Sequence, residues 1–230
     1  MLFQFFEDAI SAERMSRYVR ACNGDTRKAM TLYRYNLQVS QEMFTIVSCF
    51  EVTLRNRIDR HMTAKFGTDW LRDSVTDSGI FTTPILSKTR NIIFHAFKKL
   101  NCTNTYTHTK LIAEMEFGIW KYMFSPIQYS KAGRSLLQVF PKKPRSSAVK
   151  QYNQRFVFTE LDKINSMRNR IAHHEPICFS AQLARIDTSY ILNIYTKIHN
   201  LFAWMDVDCN SLLYGLDHVH QICNRINSLS

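Results

Sequence analysis

One stretch of the sequence reads Arg168-Asn169-Arg170-Ile171-Ala172-His173-His174-Glu175-Pro176. An arginine and a histidine this close together suit phosphodiester chemistry that uses no metal. The guanidinium offers a rigid fork of donors to phosphate oxygens as charge builds in the transition state. An imidazole, with an ordinary pKa of about 6.5, moves protons at neutral pH. On RNA the corresponding reaction is attack by a 2′-OH on the adjacent phosphate. The pattern alone does not single out one place. Arg55-Asn56-Arg57-Ile58-Asp59-Arg60-His61 repeats the same residue types, and periodicity does not choose between the two.

The elements that must position these residues follow from spacing. Thr159-Glu160-Leu161-Asp162 reads as a capping box with Asp in the fourth place, opening a helix that must finish by Pro176. At about 100° per residue, Leu161, Ile164 and Ile171 fall within about 60° of Arg168, so Arg168 is expected toward the core. Asn169 lies near 100° and His173 near 140°, while Arg170 and His174 turn to the far side. Arg168, Asn169 and His173 are therefore expected to line one cleft. A guanidinium at the edge of a core needs a partner, since leaving it unpaired costs on the order of several kcal/mol. Glu51 sits within the apolar stripe Met43, Val47, Leu54, Ile58 and Met62, with Arg55 one turn later. It is expected to contact Arg55, Arg168 or both, and so to hold Arg168 in one rotamer.

Composition sets the background. The 230 residues include 30 Lys+Arg against 19 Asp+Glu, a net charge of +11, which favours polyanionic partners. Hydrophobic residues make up 45%, enough for a packed core, and only 6 Gly and 5 Pro are present, too few for a turn-dense all-β fold. An all-α protein is expected, as one domain over 1–230. Ser11 caps a first helix to about Cys22, and Asn23-Gly24-Asp25 separates it from a pair of long helices covering Thr26 to Lys65 with a break near Ser40. Thr68 to Thr83 reads as a loop holding Trp70 as a core anchor. Further helices are expected over Pro84 to Leu100 and Thr107 to Phe124.

The start, Met1-Leu-Phe-Gln-Phe-Phe-Glu-Asp, lacks the basic region of a secretory signal, and no apolar stretch is long enough to span a membrane. Six dispersed cysteines then read as reduced thiols in a cytoplasm. A zinc site can be drawn from Cys209, His218, His220 and Cys223. The spacing matches no familiar ligand pattern, however, and histidines two apart diverge on a helix, so no metal or cofactor is expected. Between Phe117 and Thr159 lie Lys121, Lys131, Arg134, Lys142, Lys143, Arg145, Lys150 and Arg155, with no acidic residue among them. The loop around Lys142, Lys143 and Arg145 can project these charges toward phosphates, or form a solvated face with no partner.

The block Arg168 to Pro176 resembles the R-N-x-x-x-H signature of HEPN domains, in the RNxxAHHEP form found in Abi-like (abortive infection) proteins. The likeness extends to Ser16-Arg17-Tyr18, Gly24-Asp25, Ala29 to Asn36, Glu51-Val-Thr-Leu-Arg-Asn56, Phe66-Gly-Thr-Asp-Trp70 and Glu116-Phe-Gly-Ile-Trp120, in that order. The resemblance implies a HEPN-like antiparallel helical bundle with additional helices. It also implies a homodimer whose two motif helices form one composite active site. The implied activity is a metal-independent endoribonuclease of phage defence or a toxin, with RNA as substrate and an antitoxin as a candidate partner. Arg168 would grip the scissile phosphate, His173 would act as general base or acid, and Asn169 would orient the pair. Glu51, Arg55 and His174 would support them. The chain departs from the typical pattern in two extra arginines, Arg57 and Arg170, which are expected to broaden the positive field for RNA without changing the chemistry. The alternative is a catalytically inactive RNA-binding or dimerisation module of a defence system. Other enzyme classes lack their motifs, with no G-x-S-x-G, no G-x-x-x-x-G-K-[ST] and no H-E-x-x-H.

Overall fold

With so few glycines and prolines to interrupt it, the backbone of residues 2–230, which the computed structural model describes, runs from helix to helix. In chain order these are α1 (Phe3–Ile10), α2 (Ala12–Ala21), α3 (Thr26–Phe66), α4 (Trp70–Asp73), α5 (Ser87–Cys102) and α6 (His108–Ala113). They continue as α7 (Phe117–Tyr122), α8 (Pro126–Lys131), α9 (Gln154–Ala172), α10 (Ser189–Trp204), α11 (Cys209–Leu212) and α12 (Val219–Asn227). Among the described residues there is no β-strand, only one antiparallel bridge between Phe179 and Ile186. The protein is all-α. No helix among these residues is long and apolar enough to cross a membrane.

The expected pair of helices over Thr26 to Lys65 is one unbroken helix of 41 residues, about 60 Å long. Ser40 does not break it because the stripe of buried residues runs on past that position. Ala29, Leu32, Asn36, Val39, Met43, Ile46, Phe50, Leu54, Ile58 and Met62 recur every three or four residues. Asp25 caps its start, accepting from the backbone N–H of Arg27 and Lys28 at 3.0 Å each. Gly67, at φ +96°, ends it in the left-handed conformation that glycine adopts without strain.

Two other expectations change. The helix expected over Thr107 to Phe124 is two, α6 and α7. The chain leaves the first at Ala113 and enters the second at Phe117, with Met115 and Phe117 both buried at the junction. The motif helix starts at Gln154 rather than Thr159, with the Asn153 side chain accepting from the Phe156 N–H at 3.0 Å. Thr159 instead donates back to the Arg155 carbonyl, and Asp162 takes the ammonium of Lys121 at 2.8 Å.

The chain forms two compact units. The first comprises Met1–Ser48, Ser166–Asn200 and Asp208–Ser230; the second comprises Cys49–Asn165 and Leu201–Val207. In the first, Tyr18 is buried edge-to-face against Tyr33 and Phe179, with ring centroids 5.3 and 5.0 Å apart. In the second, Phe50 packs edge-on to Phe202 and tilted against Phe117, at 5.3 and 6.3 Å. Trp70 is the expected core anchor, 2% exposed. Its indole N–H donates to Asp59 Oδ1 at 2.7 Å, the atom that His108 Nε2 also meets at 2.7 Å. A large buried side chain whose polar edge is satisfied keeps its full apolar contribution.

Candidate functional site at the end of the motif helix

The motif residues lie in the first unit, where α9 stops. Its last turn closes in a Schellman arrangement: the His174 N–H reaches the Ile171 carbonyl at 3.0 Å and the Glu175 N–H reaches the Arg170 carbonyl at 2.8 Å. The residue that must turn left-handed is His174, at φ +56°, where glycine is the usual occupant. Pro176, two residues on, cannot continue a helix, which fixes the stop locally.

Neighbouring segments hold this turn. Arg14 of α2 donates from Nη1 to the His174 carbonyl at 3.1 Å. Arg170 folds back, with Nε to Glu175 Oε2 at 3.2 Å, Nη2 to the Pro176 carbonyl at 2.7 Å, and its guanidinium 5.1 Å from the Tyr190 ring centroid. Arg170 is therefore engaged within the fold rather than extended into solvent. The buried Asn36 of α3 accepts at Oδ1 from the N–H groups of Ile177 and Cys178, at 2.9 and 3.3 Å. Beyond them Arg17 fixes the loop. Its Nη2 donates to the carbonyls of Ser180 and Leu183 at 2.8 and 2.7 Å, and its guanidinium lies over the Phe179 ring at 4.6 Å.

A groove of about 440 Å³ opens beside this helix end. Arg168 and His174 line it together, with Asn36, Leu37, Gln41 and Phe44 on the α3 side. Arg168 is half-buried, with its expected core neighbours Leu161 and Ile164 fully buried on the same helix. Asn169 and His173 are exposed at the same helix end but are not part of the groove's lining. The expectation that His174 turns away from Arg168 fails for a specific reason. The helical angle of 100° per residue applies only while the helix continues, and the left-handed turn after Ala172 redirects the side chain that follows. Leu37 and Phe44 are 48% and 45% exposed, so the groove has an apolar rim.

The competing match is placed differently. His61, in the second unit, is half-buried with Nε2 2.9 Å from Ser135 Oγ, an oxygen that Lys65 Nζ also meets at 3.1 Å. Burial, and then the Lys65 charge, hold its imidazole below the usual value, so it is neutral and occupied within its own unit. Glu51 and Arg55 are half-buried on the part of α3 that belongs to the second unit, and Arg55 Nε is buried without a hydrogen-bond partner.

Of the basic segment, also in the second unit, Lys142, Arg145, Lys150 and Arg155 are exposed and Lys143 is half-buried. Lys121 does not belong to this face; it is buried, on the ion pair with Asp162. The drawn zinc ligands are dispersed. His218 Nδ1 pairs with Glu42 at 3.3 Å, Cys223 is buried, and Cys209 Sγ lies 3.9 Å from His199. Among the described residues no group of three or more His, Cys, Asp or Glu is placed to hold a metal ion.

Sequence reasoning missed Arg14, Arg17 and Asn36 as supports of the site. For Asn36 the signal was present, as a polar residue on the buried stripe of α3; the two arginines look like any exposed helix cations until the loop they bind is known.

No curated protein and no solved structure matches the chain. The family model described as Abi-like protein matches residues 3–178, a span that takes in α2, α3 and the whole motif helix with the turn that ends it. The chain belongs to the Abi-like protein family.

Proposed function

We propose that this Abi-like protein is a metal-independent endoribonuclease of the HEPN type, acting in abortive infection or as a toxin in the cytoplasm. The observation that carries the reading is the shared groove of Arg168 and His174, with His173 exposed one residue away. Arg168 supplies paired donors to the non-bridging oxygens of a scissile phosphate. One imidazole takes the 2′-OH proton as that oxygen attacks phosphorus. A protonated imidazole gives a proton to the departing 5′-oxygen, leaving a 2′,3′-cyclic phosphate and a 5′-OH. By the motif, His173 is the first candidate for these transfers, with Asn169 orienting it. His174, facing the same groove as Arg168, is a second, and two adjacent histidines can divide the base and acid roles between them. The exposed Leu37 and Phe44 at the rim suit coverage by a second copy, whose own motif helix would complete the cleft. Lys142, Lys143 and Arg145 give a separate basic surface for the RNA backbone, and an antitoxin is a further candidate partner.

The test is cleavage of a mixed pool of single-stranded and structured RNA in EDTA by the wild type, Arg168→Ala, His173→Ala and His174→Ala, with product ends analysed. Cyclic phosphate ends from the wild type alone, or from the wild type and one histidine variant, are expected. Absence of cleavage by the purified wild type, alone and with infected-cell extract, would favour an inactive RNA-binding or dimerisation module.

A further inference from the structure

Three aromatic side chains of the second unit meet where its basic segment runs. Tyr152 stands just before α9, Phe156 lies in the first turn of α9, and Trp204 ends α10; all three are half-exposed. Tyr152 packs edge-on to Phe156 and to Trp204, with ring centroids 5.1 and 5.4 Å apart. Phe156 lies 5.8 Å from Trp204, tilted by 34°. Rings wedged together in this way have lost their rotamer freedom before anything binds.

What lies over two of the rings is a cation. Lys150 Nζ sits 5.0 Å from the Tyr152 centroid and 5.4 Å from that of Phe156, and Lys150 is exposed. Both rings thus turn a face toward an exposed ammonium rather than into the core. The loop that carries it is tied down. The Ser147 N–H donates to the Lys150 carbonyl at 2.9 Å, the Lys150 N–H to Ser147 Oγ at 3.1 Å, and the Tyr152 N–H to Ser146 Oγ at 2.9 Å. Nearer its start, the Lys142 N–H donates to the Trp204 carbonyl at 3.0 Å, which joins the basic loop to the aromatic cluster. Lys142, Arg145, Lys150 and Arg155 are exposed, residues 117–159 contain no acid, and the segment that brings in Trp204, 201–207, adds only Asp206.

We propose that Tyr152, Phe156 and Trp204 form a platform on which an unpaired base of single-stranded RNA stacks, while the cations of the same loop hold its phosphates. The choice of RNA rests on the endoribonuclease reading above; the choice of an unpaired base does not. A ring face that attracts an ammonium also stacks a nucleobase of any kind, and the ammonium it releases is free to meet the adjoining phosphate. In a duplex each base face is covered by the next pair, so only a single strand, loop or end presents one. An acidic peptide would meet the cations and leave the rings unused.

The probe is a mixed-pyrimidine 2′-O-methyl strand of about 16 nucleotides, which has no 2′-OH to attack phosphorus and so is not cut. Binding to the full chain is read from quenching of Trp204, since the other tryptophans, Trp70 and Trp120, are buried. The same strand paired with its complement, and an abasic strand of equal length, are titrated beside it. The wild type should bind the single strand with saturable quenching, and the duplex and abasic strand roughly tenfold more weakly. Tyr152→Phe should bind as the wild type does. Tyr152→Leu, which keeps apolar bulk and removes the ring, should bind roughly tenfold more weakly with an unchanged salt slope, because no charge is lost. Equal affinity for the duplex or the abasic strand overturns the platform, as does undiminished binding by folded Tyr152→Leu. Binding without quenching of Trp204 overturns the location. If Tyr152→Leu fails to fold, the three wild-type titrations decide alone. A protein that binds the single strand in this way and cuts no RNA keeps the platform and loses the nuclease reading; one that cuts RNA without this preference does the reverse.

Discussion

Arg14 donates a hydrogen bond from Nη1 to the carbonyl oxygen of His174, 3.1 Å away, across the end of the helix that carries the motif. That carbonyl lies in the left-handed turn two residues past the end of the helix, and a cation beside it also faces the negative end of the helix dipole. The bond also fixes the peptide that turns His174 into the groove. Arg14→Ala is therefore expected to cost at most about 1 kcal/mol of stability, because the contact is exposed. RNA cleavage should fall severalfold in that variant, as read by initial rates beside a thermal melt.

His174 occupies a left-handed position that favours glycine. His174→Gly should raise stability by about 1 kcal/mol, or Tm by about 2–4 °C. If the imidazole takes part in proton transfer, cleavage drops in the same variant. A gain in Tm with full activity retained would restrict proton transfer to His173.

Asn36 satisfies two backbone donors that no other acceptor meets. Asn36→Leu leaves the N–H groups of Ile177 and Cys178 buried and unpaired, an expected cost of about 2–4 kcal/mol in urea unfolding.

The all-α class was legible because the shortage of glycine and proline and the three-to-four spacing of apolar residues point the same way. Trp70 as an anchor and Asp25 as a cap follow from the same local rules. The site was legible in its residue types but not in its layout. A helical wheel places His174 opposite Arg168, and nothing in the sequence except Pro176 warns that the helix has already ended; glycine, the usual marker of such a turn, is absent. Lys121 was misread for a related reason, since counting charges along a chain cannot see that one of them is buried on Asp162.

Alkaline pH should destabilise the fold. Burial raises the Cys178 thiol from its ordinary 9.0 to about 12 and the Cys223 thiol to about 11. Burial also raises the hydroxyls of Tyr18, Tyr106 and Tyr195. Above about pH 9 the unfolded chain gives up these protons while the folded chain keeps them, so stability, fully present below that pH, declines as pH rises. Urea midpoints measured between pH 7.5 and 10.5 should fall, with the decline beginning near pH 9.

The basic loop predicts a salt signature. Binding of a noncleavable RNA should weaken steeply with salt. Replacing Lys142, Lys143 and Arg145 together by Ala should lower the slope of log K against log salt by about 2, given about 0.7 per contact on single strands. An unchanged slope would remove this loop from the RNA-binding surface.

The supports of the groove are far apart along the chain. Arg14 and His174 are separated by 160 positions, Arg17 and Leu183 by 166, and Asn36 and Ile177 by 141. At a synthesis rate of about 5–20 residues per second, α2 and the first half of α3 wait on the order of ten seconds before the segment they brace has been made. The helix end therefore takes shape only after the chain has been made past Leu183. A groove that cuts RNA as proposed is thus unassembled while the intervening residues are being made.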